Sequence, residues 1–306
     1  MNARFTPVSR CWVCDGSRLS QVHEATFDLH EYATQDPLLA AYTGASIPIV
    51  RCAACGFAQP AALPALPRYF DRMYDQRWSD DWVRAEHDST YKDVVFADVL
   101  SGLEDRLPRG RRRLLDIGAH AGRFMATARR AGWDAEGLEL NPKTGVYATT
   151  VTAAPVHQGN VHTFVTDARY DAVTLTDVLE HIPEPRIVLS RIRRFLAPGG
   201  WIAIKVPNGP VQRLKERVRG VLHSGYRPTV ADNLVHVNHF TPASLARALT
   251  REGFLDITII AGAPEMPPAG GSGRVLRRLV FTSARMVPGA VHTPLALNLQ
   301  AYARRD

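Results

Sequence analysis

From residue 110 onward, short apolar runs alternate with stretches of helical spacing. Leu114-Leu-Asp-Ile117, Glu136-Gly-Leu-Glu-Leu140, Tyr170–Thr176 and Trp201–Val206 have the length and composition of buried strands. Between them, Gly122–Ala131, the segment opening at Pro142, and Pro185–Leu196 read as helices. The last of these gathers Val188, Ile192, Phe195 and Leu196 on one face, Gly132 stops the first, and Pro142 takes the first helical position that proline favours. Pro198-Gly-Gly200 makes a turn, Thr241-Pro242 opens a helix that ends at Glu252-Gly253, and Phe254–Ile260 and Leu295–Ala303 read as the last strands. Strands alternating with helices predict an α/β fold with a doubly wound, mostly parallel sheet.

The first hundred residues break this rhythm. Residues 1–66 are expected to form a small module and 67–108 a helical connector. The run Pro60-Ala-Ala-Leu-Pro-Ala-Leu-Pro67 reads as a hinge between them. All four cysteines lie in the module, as Cys11-Trp-Val-Cys14 and Cys52-Ala-Ala-Cys55. Two C-x-x-C turns can each point two thiolates at one ion and complete a tetrahedron, so Cys11, Cys14, Cys52 and Cys55 are expected to hold a structural Zn2+ in a zinc ribbon. Such a closed site has no open position for chemistry. Two disulfides or a redox pair fit a reducing compartment poorly.

Composition narrows the classes. The chain has 306 residues, 45% hydrophobic and 22% charged, which argues against disorder. No apolar run approaches the roughly 18 to 20 residues of a membrane-spanning helix, and the first residues lack the apolar core of a secretory signal. The expectation is a cytoplasmic protein, with a place at the inner membrane surface left open. The net charge of +7 lies wholly in the last third: from Gly209 to Asp306 there are 13 Lys and Arg against 6 Asp and Glu. Two basic amphipathic stretches, Val211–Leu222 and Arg274–Val287, fall in expected lid insertions near 209–235 and 264–292, the second hinged by the glycine run Pro268–Gly273. They read as a lid with a solvated basic face, as recognition of an anionic, diphosphate-linked acceptor, or as a peripheral seat on an anionic membrane. The basic segments are not interleaved with stacking aromatics, which argues against a nucleic-acid partner. Oligomeric state is not legible.

The chemistry concentrates at Leu115-Asp-Ile-Gly-Ala-His-Ala-Gly122, a strand-to-helix switch, with Glu139 ending the next strand 23 positions after Asp116. A glycine loop there approaches a nucleotide, and the second strand's acid reaches ribose hydroxyls. The pattern D-x-G-x-x-x-G suits a dinucleotide pyrophosphate poorly. Taken with Gln158-Gly-Asn160-Val161, Tyr170–His181 and Leu196-Ala-Pro-Gly-Gly200, it resembles the class I S-adenosylmethionine-dependent methyltransferases. The resemblance spans roughly residues 110–306. The cysteine pairs, with Tyr69 and Tyr74, resemble the N-terminal ribbon of a branch associated with sugar, glycan and natural-product methylation.

The resemblance implies a Rossmann-like sheet with its last strand antiparallel and a site for S-adenosylmethionine formed by Asp116, Gly118, Ala119, His120, Gly122, Glu139, Leu140, Asn160, Val161 and Asp177. Gly118 and Gly122 would let the backbone pass the methionine part, Glu139 would take both ribose hydroxyls, and the Asn160 carbonyl would accept from the adenine amino group. His120 stands where a glycine is commonest and is expected to avoid positive φ. His181 and His236 are the candidate bases for the acceptor. A related group, the quinone-pathway O-methyltransferases, holds a divalent metal on positions matching Asp177, Glu180 and His181. The expected function is methyl transfer to a small molecule, a sugar or sugar-derived metabolite. The alternatives are a phenolic or other natural product and, from another class, a zinc-ribbon RNA-modifying protein.

Overall fold

The computed structural model describes residues 4–74, 79–108, 110, 112–222, 236–266 and 273–306. Residues 223–235 of the first expected insertion and the run 268–272 lie outside the described residues.

The alternating pattern after residue 110 becomes a seven-stranded sheet. Its strands are β6 (Arg112–Ile117), β7 (Trp133–Glu139), β8 (Val156–Gln158), β9 (Tyr170–Thr176), β10 (Leu196–Pro207), β11 (Leu255–Gly262) and β12 (Asn298–Arg304). Their spatial order is β11-β12-β10-β9-β6-β7-β8. All neighbours run parallel except β12, which is antiparallel to both β10 and β11. The register brings Ile117 beside Leu138 and Leu175, so the loops after β6, β7 and β9 leave the sheet at one height. That shared edge, at the carboxyl ends of the strands, is where this class of sheet binds ligands.

Helices cover both faces. On one, α4 (Asp93–Glu104) and α5 (Arg123–Arg130) bury Phe96, Val99, Leu103, Phe124 and Ala128 over Leu114 and Trp133. On the other, α7 (Pro185–Phe195) and α9 (Pro242–Arg251) bury Val188, Ile192, Leu245 and Leu249. Thr241 caps α9 in a reciprocal box with Ser244, as the Thr-Pro start predicts. Helix α6 (Pro142–Thr152) opens at Asn141, whose side chain accepts from the N–H groups of Lys143 and Thr144.

The N-terminal residues form a three-stranded antiparallel sheet of β2 (Leu19–Thr26), β3 (Ser46–Cys52) and β4 (Ala58–Pro60), and a pair of β1 (Phe5–Pro7) with β5 (Ala62–Pro64). The expected hinge at 60–67 is thus partly strand. Pro60 and Pro64 sit on edge strands, where no ladder donor is lost, and Pro67 lies in the turn before the next helix. Three helices follow: α2 (Tyr69–Tyr74), α3 (Asp80–Asp88) and α4; a short α1 (Pro37–Ala40) precedes them.

The cysteine turns do not stand apart from the large sheet. Cys11, Val13, Cys52 and Phe57 share one buried cluster with Leu115, Val173, Ile204 and Phe240. The backbone of Ala58 pairs with that of His239, N–H to carbonyl in both directions, and the Phe57 and Phe240 rings lie 5.0 Å apart. Asp15 takes Arg186 and Arg251 from α7 and α9.

The two remaining helices, α8 (Gly209–Leu222) and α10 (Gly273–Met286), occupy the expected insertions and leave much of their apolar surface exposed.

Because Phe57 is fully buried between the two parts, Phe57→Ala should cost about 3 to 5 kcal/mol. Thermal unfolding followed by near-UV circular dichroism should show a single transition at lower temperature. Two transitions, with the later one unmoved, would show that the parts do not share a core.

Candidate functional site

The loops after β6, β7 and β9 enclose a cavity of about 490 Å3, closed from the other side by α2, α3 and the start of α4. Asp116, Gly118, Ala119, His120, Glu139, Leu140, Asn160, Val161, Asp177 and His181 all line it. Gly122 and His236 do not.

The glycine turn is shaped by steric need. Gly118 has φ +75 and a Cβ there would lie 2.5 Å from Val178 Cγ2. Gly122 has φ +78, and its missing Cβ admits Ala148 and Thr152 of α6 at 2.9 Å. It packs loop on helix and does not line the cavity, whereas the sequence led us to expect it beside the methionine part of the cofactor. His120 takes φ 50, so the position does adopt the left-handed region that was expected to be avoided. Its N–H donates to Glu139 Oε2 at 2.7 Å and its ring meets Trp82 edge-on at 5.3 Å. Burial lowers its pKa to about 4, leaving the imidazole neutral.

Glu139 is held at both oxygens, from His120 N–H and from Asn141 N–H at 2.8 Å. Burial raises its pKa and these donors oppose the rise. A carboxylate fixed by two backbone donors keeps further lone pairs for hydroxyls. Asp116 lies beneath, accepting from Thr174 Oγ1 at 2.8 Å; burial pushes it up to about 7.

Asn160 differs from its expected arrangement. Its Oδ1 accepts His162 N–H at 2.9 Å and its Nδ2 donates to Asp71 Oδ1 at 2.8 Å. The carboxylate at this end of the cavity therefore comes from Asp71 on α2, outside the segment 110–306 that carries the strand-end motifs.

At the opposite end, Asp177 is turned to two lysines, Lys205 and, at 2.9 Å, Lys92. Burial opposes its charge, yet the two ammonium groups outweigh that and hold its carboxyl well below the ordinary range. Asp177 therefore does not join Glu180 and His181 as the quinone-enzyme pattern suggested. Instead Glu180, His181 and His236 lie together, with one ligand atom from each within 4.8 Å of the others. His181 Nδ1 is 2.9 Å from the Tyr74 hydroxyl and its Nε2 is 3.9 Å from Glu180 Oε1. The His236 ring lies 4.8 Å from the His181 ring, centroid to centroid, and its Nδ1 bonds Gln212 at 2.9 Å. Burial and the charge of Asp177 raise Glu180 to about 7, while burial lowers His236 to about 4. Tyr74, Lys92 and Gln212 lie outside the strand-end loops, so no motif spacing pointed to their parts.

In the cysteine site, Cys11 Sγ lies 3.5 Å from Cys55 Sγ, and Cys14 Sγ 3.5 Å from Cys52 Sγ. All four sulfurs lie within 4.8 Å of one another and no disulfide joins them. Gly16, not singled out from the sequence, makes room: a Cβ there would stand 3.3 Å from the sulfurs of Cys14 and Cys52.

Comparison with known proteins shows the family. A family model described as a methyltransferase domain matches residues 90–259, more than half the chain. The chain belongs to that family and is an S-adenosylmethionine-dependent methyltransferase. A ubiquinone biosynthesis O-methyltransferase of Thiobacillus denitrificans is 25% identical over 55% of this chain and 75% of its own length. Several others of the same name are matched over less than half their length. Among solved structures, the methyltransferase bound to the Trm112 activator of Haloferax volcanii has a TM-score of 0.52, with 16% identity over 74% of this chain and 96% of that one, and shares the fold. The sugar N-methyltransferase KedS8 of Streptoalloteichus is 28% identical over 42% of this chain and 53% of that one, with a TM-score of 0.37.

Removing the Glu139 carboxylate should weaken binding of S-adenosylhomocysteine by about tenfold or more, since each charge-assisted bond contributes roughly 1.5 to 3 kcal/mol. Asp71→Ala should weaken it too, while leaving the fold intact. Calorimetric titration reads both; unchanged affinity in Glu139→Ala would remove that residue from the cofactor site.

Proposed function

We propose that the chain methylates a small molecule, a sugar or sugar-derived metabolite, with the Glu180–His181–His236 cluster receiving the acceptor's proton. The cluster carries the reading: a buried carboxylate behind a histidine that faces the cavity is an arrangement for activating a weak nucleophile. Bound S-adenosylmethionine supplies a methyl group on a sulfonium leaving group. Glu139 and the 118–120 backbone would hold its ribose and methionine ends, and Asp71 with Asn160 its adenine.

The base works by orientation. The negative Glu180 favours the tautomer of His181 with its proton on Nε2, leaving the lone pair on Nδ1 beside the Tyr74 hydroxyl. A proton leaving the acceptor passes through that hydroxyl to Nδ1. His236, neutral and anchored by Gln212, packs on the far side of His181 and keeps it in place. His236 does not line the cavity, so His181 is the base in this reading and His236 a positioning residue.

The ribbon beside a methyltransferase sheet favours the sugar class. Lys92 and Arg123 on the cavity wall are paired with Asp177 and Asp93. Arg274, Arg277 and Arg278 lie outside the lining. A neutral acceptor therefore suits the cavity better than a diphosphate. A phenolic acceptor is the second reading, favoured by the names of the curated relatives and by Phe70, Trp82 and Phe124 on the wall. The thiol cluster has the donor set and spacing of a closed tetrahedral zinc site, in keeping with a reduced, cytoplasmic setting.

His181→Ala should lower kcat by roughly 10²- to 10⁴-fold with S-adenosylhomocysteine affinity kept. A loss of tenfold or less there and in His236→Ala would leave alignment alone as the mechanism. Because Glu180 must be ionised, kcat should decline as pH falls through about 7, and Glu180→Gln should flatten that limb. A wild-type profile level from about pH 5 to about pH 8 would refute the carboxylate's role. Elemental analysis should find about one zinc per chain, lost in Cys52→Ser; freshly isolated protein without zinc would overturn that assignment.

A further inference from the structure

Helix α10 carries an apolar stripe that the fold does not use. The side facing the protein is Ala284, which is buried, with Val280 and Phe281 half-buried. A second set, Val275, Leu276, Leu279 and Met286, points away from it and is 60–77% exposed. At about 100° per residue these four fall in one arc, and Arg274, Arg278 and Arg285 fall in another on the opposite flank. The helix contains no acidic residue. Arg285 is engaged by Asp98, and Arg277 donates to the Glu265 carbonyl; among the described residues no ion pair holds Arg274 or Arg278.

We infer that α10 is a docking helix for an anionic lipid surface, seated with Val275, Leu276, Leu279 and Met286 in the acyl boundary and Arg274 and Arg278 at the headgroups. Both halves of this surface are needed by such a partner: apolar area drives insertion, and the arginines gain from negative headgroups. A second copy of the chain is a poorer match, because the facing helix, which contains no acidic residue, would offer Arg274 and Arg278 no counter-charge. Helix α8 also leaves apolar residues exposed, Leu214, Val218, Val221 and Leu222, beside Lys215.

The position of α10 gives docking a purpose. Arg277 ties its first turns to residue 265. The Glu265 carboxylate lies 3.9 Å from Lys92 Nζ, and Met266 N–H donates to the Tyr91 carbonyl at 2.8 Å. Tyr91 and Lys92 line the cavity. A bilayer under α10 therefore lies next to the wall through which an acceptor carried on a lipid would be presented.

Flotation with phosphatidylcholine vesicles, with and without phosphatidylglycerol, tests the inference. The wild type should float with the anionic vesicles and not with phosphatidylcholine alone, and added salt should release it. The double variant Leu276→Asp, Leu279→Asp should bind at least about tenfold less, with S-adenosylhomocysteine affinity unchanged as proof of folding. Arg274→Gln with Arg278→Gln should weaken binding and reduce its salt dependence. Failure of the wild type to bind anionic vesicles, or undiminished binding by the double Asp variant, would overturn the assignment. So would a wild-type dimer in sedimentation that the Asp variant splits, which would give the stripe to a second copy.

Discussion

The segment Val237–Phe240 is the strap on which the rest of the molecule closes. Its N–H groups at Val237 and Asn238 both donate to the Glu180 carbonyl, and Asn238 Nδ2 spans the carbonyls of Leu179 and Ile182 at 2.7 Å each. One residue further on, His239 pairs with Ala58 of the cysteine module, and Phe240 fills the space under Phe57. These four residues, directly after His236, thus connect the turn that carries His181 with the strand that follows the second cysteine pair. The backbone groups are buried, so each unmade bond would carry a desolvation cost of about 1 to 3 kcal/mol. The strap is accordingly held by pairing rather than by apolar contact alone.

The charges around the cavity are arranged with the same economy of position. Asp177 is satisfied by two lysines and stays ionised, while Glu180, three residues along the chain, is buried and, among the described residues, has no formal cation of comparable closeness, so it rises toward neutrality. Two carboxyl groups on one turn are thereby driven apart, one locked in an ion network and the other left titratable near neutral pH. Lys205 contributes from β10 and Lys92 from the start of α4, so the separation depends on strands and helices distant in sequence.

Legibility followed locality. Strands β6, β7, β9 and β10 were visible because each is a short apolar run bounded by a turn residue, and Glu139 was visible because its place at a strand end has a fixed meaning. The three-residue β8 left no periodic signal, and Pro60–Pro67 misled because proline marks both hinges and edge strands. His120 was misjudged because the neighbouring Trp82 and the Glu139 carboxylate compensate its left-handed backbone, and neither contact is written into the loop itself. Asp71 and Lys92 escaped, and Tyr74 was visible only as part of the ribbon resemblance, for one reason: they reach the cavity from helices that precede the sheet, and only three-dimensional packing brings them to Asn160, His181 and Asp177. The same holds for Gly122, whose purpose lies in the closeness of α6.

The antiparallel strand β12 has a consequence for how the chain attains this form. Among the described residues, β11 pairs with β12 alone, and β12 is the last strand in sequence, inserted between β11 and β10. During synthesis the parallel strands β6–β10 can assemble as they emerge, but β11 has no neighbour until residue 304 has left the ribosome. The edge of β10 stays open over that interval, a row of unpaired donors and acceptors available to any other strand. Completion of the sheet is therefore a late, long-range event, and the nascent protein's exposure to misassembly is set by the time taken to translate the segment from β10 to β12.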